Sequence, residues 1–254
     1  MSKKKLILKI GSSTLTAGTD RISYAKIEDI ARQVITLKDS YDIVIVSSGA
    51  IATARQFVDV GGKALQVASK QALSAIGQPK LMAIFDEVFS SFGLSVAQCL
   101  LVYRDFESAV ARENIENTIA KLLELGYTPI INENDTVSAD EIVLGDNDKL
   151  SALVAGITKA DLLILASDIN GLYDQNPHLN EHAELIEVVH NLNAVVPYAE
   201  DKETALGTGG MATKLHAAAI CKENQIEMWI LNGGRNHFIV DALEGKTIFT
   251  KFVT

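Results

Sequence analysis

The sequence predicts one layered α/β domain, with mostly parallel strands covered on both faces by helices. Three observations carry that prediction. Strand-like apolar runs recur with helical stretches between them, the alternation that builds βαβ units. Hydrophobic residues make up 48% of the chain but aromatics only 6%, an aliphatic balance that suits strands buried on both sides better than an all-β sandwich. The 254 residues are enough for a sizeable core and contain no Pro/Gly/Ser-rich linker, so a single domain over residues 1–254 is expected.

The first strand is expected at Leu6–Ile10, a continuous apolar run except for Lys9. Over Tyr24–Lys38, Ile27, Ile30, Ala31, Val34 and Leu37 recur at helical spacing and predict a core-facing helix. A second strand follows at Ile43–Val46 and a third at Ser95–Val102. Between Glu107 and Leu125 the stripe Ile115, Ile119, Leu122 and Leu123 again reads as a helix, before a fourth strand at Thr128–Asn132. Residues 137–145 alternate weakly and fit a small hairpin over a ligand site, and residues 150–158 read as a helix. A fifth strand is expected at Asp161–Ala166. Residues 171–209 are richer in turns and polar groups and are expected to be irregular cover beside that site. An alanine-rich helix from about residue 211 and a strand at Glu227–Leu231 complete the pattern.

Composition excludes several classes. A net charge of −9 and a pI near 5.1 argue against general nucleic-acid binding, which needs surplus positive charge. Cys99 and Cys221 stand in apolar surroundings with no metal-type spacing, so core thiols of a reducing compartment are expected. Lys3-Lys4-Lys5 leads only into Leu6-Ile7-Leu8, too short for a signal peptide, and no later run is long enough to span a bilayer. A cytoplasmic protein that binds neither nucleic acid nor membrane is expected.

The chemistry concentrates in a few segments. Gly207-Thr208-Gly209-Gly210-Met211-Ala212-Thr213-Lys214 runs straight into a helical pattern. Glycines let backbone N–H groups turn toward an oxyanion, and the helix adds its own unpaired N–H groups at the same place. Lys214 in a first helical turn opposes the macrodipole unless an anion lies nearby; a flexible glycine loop with a solvated lysine is the plainer alternative. Lys9-Ile10-Gly11-Ser12-Ser13 and Ser47-Ser48-Gly49-Ala50 each place glycine and hydroxyls just past a strand, where open α/β sheets bind ligands. Lys9 is then either a solvated strand end or a phosphate ligand. Two acidic turns follow, Asn132-Glu133-Asn134-Asp135 and Gly145-Asp146-Asn147-Asp148-Lys149. Helix capping explains Asp146 or Asp148 alone, but both carboxylates with Asn147 exceed what a cap requires. A carboxylate near two lysines holds their ammonium groups for a transferring phosphoryl group, and Asn147 with Asp135 suits the amino group of a small substrate.

Three familiar patterns fail. Gly245-Lys246-Thr247 looks like a P-loop tail, but Val240 stands where its first glycine is needed. The glycine run satisfies a loose dinucleotide fingerprint yet follows a polar stretch rather than a strand. His178 and His182 are four apart without an obvious third ligand.

With these pieces located, the chain resembles the amino-acid kinase family from about Lys5 to its end. The resemblance rests on the motifs just quoted, in the family's order, together with Ser167-Asp168-Ile169-Asn170-Gly171-Leu172-Tyr173. It implies a three-layer αβα sandwich with a central mainly parallel sheet, and transfer of the ATP γ-phosphoryl group to the side-chain carboxylate of L-glutamate, the entry to proline biosynthesis. Carried over residue by residue, Lys9 and Lys214 become clamps on the phosphoryl group, with Asp148 orienting them. Ser48, Asp135 and Asn147 would hold L-glutamate. Lys9, Gly11, Ser12, Ser167, Asp168, Thr208, Gly209, Gly210, Met211, Ala212, Thr213 and Lys214 would bind the nucleotide, with Mg²⁺ accompanying ATP. An ionised carboxylate attacks in line without a general base, so the chemistry needs no catalytic histidine. The resemblance also implies a homo-oligomer and feedback inhibition by proline. Two departures stand out: many members carry a C-terminal PUA domain, which a chain ending at Thr254 is expected to lack, and Ser167 stands where threonine is common. Other acceptors used on this fold, N-acetylglutamate, aspartate, carbamate or UMP, and a nucleotide sensor that lost the reaction, remain competing readings. Asp135 and Asn147 favour a free amino acid.

Overall fold

A computed structural model of the chain describes residues 3–59, 66–138, 147–177, 179–199 and 210–254. In chain order the described elements are β1 (Lys4–Ile10), α1 (Ser12–Thr16), α2 (Tyr24–Leu37), β2 (Tyr41–Ser47), α3 (Ala50–Ala54), α4 (Val67–Ser91), β3 (Ser95–Leu101), α5 (Ala109–Glu124), β4 (Tyr127–Glu133), α6 (Asn147–Thr158), β5 (Leu162–Ser167), β6 (Val188–Val189), α7 (Leu192–Val195), α8 (Met211–Glu223), β7 (Glu227–Asn232), α9 (Phe238–Leu243) and β8 (Thr250–Phe252). The strands form one sheet in the order β3-β4-β2-β1-β5-β7-β8-β6, parallel from β3 to β7. β8 runs antiparallel to β7 and parallel to β6.

β1 sits where the strand order reverses, with β2 on one side and β5 on the other. Period-2 alternation sends its side chains to two cores. Leu6, Leu8 and Ile10 pack with Ile27 and Ile30 of α2, Phe85 and Phe89 of α4 and Phe238 of α9. Ile7 packs on the other face with Ile119 of α5, Leu150 and Val154 of α6 and Ala217 of α8. The result is the three-layer αβα sandwich, and Lys9, two residues after Ile7, emerges on the α6 and α8 side. The predicted strands all form, within one or two residues at most ends.

Several elements depart from the sequence pattern for physical reasons. α5 starts at Ala109 rather than Glu107 because the Ser108 side chain accepts from Ala111 N at 3.3 Å and caps it. α4, at 25 residues, has no clean apolar stripe and carries Gly77 and Pro79 inside it. Its buried face mixes polar Ser74 and Gln78 with Leu81, Phe85 and Phe89, and Gly77 on that face is required by a close approach: a Cβ there would lie 1.8 Å from Ala50 O at the start of α3. Gly49, the residue before α3, has φ +107°, a conformation that favours glycine.

Residues 171–199 are more than irregular cover, since β6 joins the sheet and α7 follows it. Thr250 Oγ1 accepts from Leu172 N at 2.8 Å and donates to Ile186 O at 2.7 Å, which fastens this segment to β8. The 137–145 hairpin falls, apart from its first two residues, outside the described residues. So do Asp146, His178 and the glycine run up to Gly209. Cys99, half-buried, and Cys221, buried, are free thiols. Among the described residues no helix is long and apolar enough to cross a membrane.

Candidate active site

The carboxyl ends of β1, β2, β4 and β5 open on one side of the sheet, and the segments leaving them carry the residues singled out from sequence. β1 delivers Lys9 one residue before its end; β2 ends at Ser47, so Ser48 follows it directly; β4 ends at Glu133, two residues before Asp135; β5 ends at Ser167, next to Asp168. α6 contributes Asn147 and Asp148 in its first turn, and α8 contributes Thr213 and Lys214 in its own.

Asp148 is fully buried and lies between two lysines. Lys9 Nζ sits 2.6 Å from Oδ1 and Lys214 Nζ 3.1 Å from Oδ2, each lysine only 7% exposed. Thr213 Oγ1 lies 2.7 Å from Gly210 O and 3.2 Å from Asp148 Oδ2, two acceptors for its single proton. Burial alone would push the Asp148 carboxyl up, but the two ammonium groups and their hydrogen bonds outweigh it and hold the group well below the usual carboxylate range. One carboxylate thus presents two cations from opposite sides of the chain, one on a strand and one on a helix.

The nucleotide-type contacts surround that pair. α8 begins at Gly210, which offers no side-chain cap, and its first turn holds no acidic residue. Its leading N–H groups, Lys214 and Thr213 therefore form a setting for an anion. Gly11 lies beside Lys9, where a Cβ would make only ordinary contact, 3.7 Å from Lys9 Nζ and 3.8 Å from Ser13 Oγ. Ser12 is exposed next to it. Ser167 Oγ donates to Asp168 Oδ1 at 3.1 Å at the open end of β5. Met211 is half-buried and Ala212 exposed on the first turn of α8; Thr208 and Gly209 lie outside the described residues.

The acceptor-type residues form a second group. Asn147 Nδ2 donates to Ser48 Oγ at 2.9 Å, to Asn132 Oδ1 at 3.0 Å and, more weakly, to Ser47 O at 3.3 Å. Its buried Oδ1 has no partner among the described residues. Asp135 is also buried and accepts from Ser74 Oγ at 2.5 Å. Burial raises its carboxyl pKa, and the Ser74 hydrogen bond lowers it by less. Because Asn147 and Asp148 are adjacent, the two groups share one helix start.

Sequence reasoning missed Ser74 and Gln78 of α4, since no helix was predicted there. It quoted Asn132 within a motif but gave it no role. It likewise quoted Asn170 within a motif without a role and missed Asn232; their side chains join at 3.1 Å and tie the loop after β5 to the end of β7.

Comparison with known proteins adds the following. The model of the amino acid kinase family matches residues 4–232. A glutamate 5-kinase of Clostridium tetani is 42% identical over 251 residues, covering 98% of this chain and 94% of that protein. A glutamate 5-kinase of Thermus thermophilus is 42% identical over 253 residues, covering 99% of this chain and 68% of that protein. Among solved structures, UMP kinase from Ureaplasma parvum aligns with a TM-score of 0.69 and 20% identity over 100% of both chains. Carbamate kinase from Giardia lamblia bound to AMP-PNP aligns with a TM-score of 0.69 and 13% identity over 99% of both. At these identities the two structures establish the fold.

Proposed function

The chain belongs to the amino acid kinase family, and on that premise we propose that it phosphorylates the side-chain carboxylate of L-glutamate with ATP, giving L-glutamyl 5-phosphate, the first step of proline biosynthesis. The observation that carries the reading is the convergence of Lys9 and Lys214 on Asp148 at the carboxyl end of β1. Phosphoryl transfer asks a protein for positioning and for positive charge where negative charge develops, and little covalent chemistry.

ATP supplies the phosphoryl group, and Mg²⁺ neutralises part of its charge. The residues present fit the phosphates of ATP. Lys9, Gly11, Ser12 and the start of α8 with Lys214 offer cations and N–H donors for phosphate oxygens. Among the described residues no cluster of three or more His, Cys, Asp or Glu side chains is placed to hold a metal. Lys9 and Lys214 stabilise charge on the transferring group, and Asp148 keeps each ammonium on its own carboxylate oxygen. Ser48, Asp135 and Asn147 hold the acceptor: Asp135 and the partnerless Asn147 Oδ1 both accept hydrogen bonds, as an α-ammonium group requires. The acceptor carboxylate is ionised at neutral pH and attacks without a general base.

A coupled ADP-release assay with L-glutamate, N-acetylglutamate, aspartate, carbamate and UMP as acceptors tests this. L-Glutamate is expected to be the preferred acceptor; turnover of N-acetylglutamate or UMP without turnover of L-glutamate contradicts the reading. Run with and without proline, the same screen tests feedback inhibition, which the reading includes.

A further inference from the structure

α4 packs along the acceptor group, and two residues one helical turn apart on it, Ser74 and Gln78, connect to the two side chains assigned to the acceptor's ammonium, Ser74 to Asp135 directly and Gln78 to Asn147 through Asn132. Ser74 Oγ donates to Asp135 Oδ2 at 2.5 Å. Gln78 Oε1 accepts from Asn132 Nδ2 at 2.9 Å, and Asn132 Oδ1 in turn accepts from Asn147 Nδ2 at 3.0 Å. All of these side chains are at most 8% exposed.

The direction of each amide is determined by its neighbours. Glu133 N donates to Asn132 Oδ1 at 2.9 Å, so the Asn132 oxygen faces Asn147 and its NH₂ must face α4. Gln78 meets that NH₂ with its oxygen, and its own Nε2 donates outward to Gln98 Oε1 at 3.3 Å. With its NH₂ engaged by Asn132, Ser48 and Ser47, Asn147 is left with its buried oxygen as the group to offer a ligand. Between Ser74 and Gln78, Gly77 lets α4 press directly on the start of α3, which follows Ser48 and Gly49, so the helix lies against the acceptor group without a spacer.

We propose that Ser74 and Gln78 are positioning residues for acceptor recognition: one face of α4 braces Asp135 directly and orients Asn147 through Asn132, so that both present acceptor oxygens to the substrate's ammonium group. Neither residue touches the phosphoryl-transfer lysines in the structure, so their effect falls on the acceptor and not on the nucleotide. Without Gln78 the Asn132 NH₂ is buried with no partner, and Asn132 regains one only by turning away from Asn147.

The inference rests on the L-glutamate kinase reading, and its test keeps the two apart. Steady-state kinetics are measured on the wild type, Ser74→Ala, Gln78→Leu and Gln78→Glu, varying L-glutamate and MgATP separately, with thermal melting recorded for each. Ser74→Ala and Gln78→Leu are expected to raise KM for L-glutamate by about tenfold, the scale of one hydrogen bond serving a charged group, with KM for MgATP and kcat within about twofold. Gln78→Glu keeps an oxygen facing Asn132 and is expected to recover most of the loss. An unchanged acceptor KM in Ser74→Ala and Gln78→Leu, a parallel rise in both KM values, or no recovery in Gln78→Glu overturns the proposal. Ser74→Ala removes a single oxygen and keeps the test open if Gln78→Leu does not fold. A wild type that ignores L-glutamate overturns the underlying reading instead.

Discussion

At the end of β1, Lys9 and Lys214 grip the two oxygens of Asp148 at 2.6 and 3.1 Å; on α2, Lys26 lies 3.7 Å from Asp29, both about as well shielded from solvent as the site lysines. The two clusters use the same residue types in different ways. On α2 the side chains answer main-chain groups: Lys26 Nζ donates to Gly234 O at 3.3 Å and Arg235 O at 3.0 Å, Asp29 Oδ1 accepts from His237 N at 3.1 Å, and Gln33 Oε1 accepts from Ile239 N at 2.7 Å. Together they close the start of α9, whose N-cap His237 offers no side-chain cap of its own. Burial pulls the Lys26 ammonium below its ordinary range, and Asp29 restores only part of it. At β1 the charged groups answer one another where several strands end. A buried charge committed to the backbone holds an element in place; a buried charge committed to other charges at a strand-end crevice is arranged for a ligand.

That contrast is open to attack by mutation. The largest effect is expected for Lys9→Ala and Lys214→Ala, each lowering kcat by about 10²- to 10³-fold. Either variant still leaves Asp148 one lysine partner, so melting temperatures are expected to stay near wild type; a variant with full turnover removes that lysine from the mechanism. The α2 cluster is expected to behave oppositely. Gln33→Leu strips an acceptor from Ile239 N and Val240 N and is expected to cost ~2–3 kcal/mol in denaturant unfolding while kcat stays within about threefold. A stable but inactive Gln33→Leu enzyme erases the distinction.

Asp135→Asn sharpens it further. Burial raises the Asp135 pKa above its ordinary value of 3.8, so the folded state holds that proton more tightly and stability falls as pH rises through the window between the two values. Asparagine removes that cost and still accepts from Ser74. The variant is expected to melt higher at neutral pH while KM for L-glutamate rises at least about tenfold, the exchange of stability for function common at binding sites. A lower melting temperature contradicts this.

At Asp148 the expectation is a pH dependence. Burial raises its pKa, but the lysines lower it more, and the net folded-state value lies below 3.8. Its contribution to stability is therefore complete above the unfolded carboxylate pKa and is lost as pH falls through the folded one. Acid unfolding of Asp148→Asn is expected to show a shallower slope below pH 3.8 than the wild type; equal slopes contradict the assignment.

How legible these regions were in the sequence follows the same physics. The parallel strands announce themselves because burial on both faces makes them continuous apolar runs, as in Leu6–Ile10 and Leu162–Ala166. α4 does not, because Ser74, Gly77 and Gln78 share the buried face with Leu73, Leu81, Phe85 and Phe89, and apolar residues such as Val67 and Ile76 lie exposed on the other side, which blurs the stripe. β6 and β8, two and three residues long, are too short to carry a period. In the site, Lys9 alone reads as a strand end and Asp148 alone as a helix cap. Only the fold brings together residues that stand 66 apart, as Lys214 and Asp148 do. Ser74 and Gln78 left no signal, since their partners lie 61 and 54 residues away and their own helix was not foreseen.

The central claim is that Lys9 and Lys214 act as one clamp set by Asp148. A double-mutant cycle on kcat, comparing Lys9→Ala, Lys214→Ala and the double variant with L-glutamate and MgATP, tests it directly. Groups that act as a unit give strongly non-additive losses, so the double variant is expected to lose little more than either single one. Losses that multiply fully would show two independent contributions and contradict the clamp.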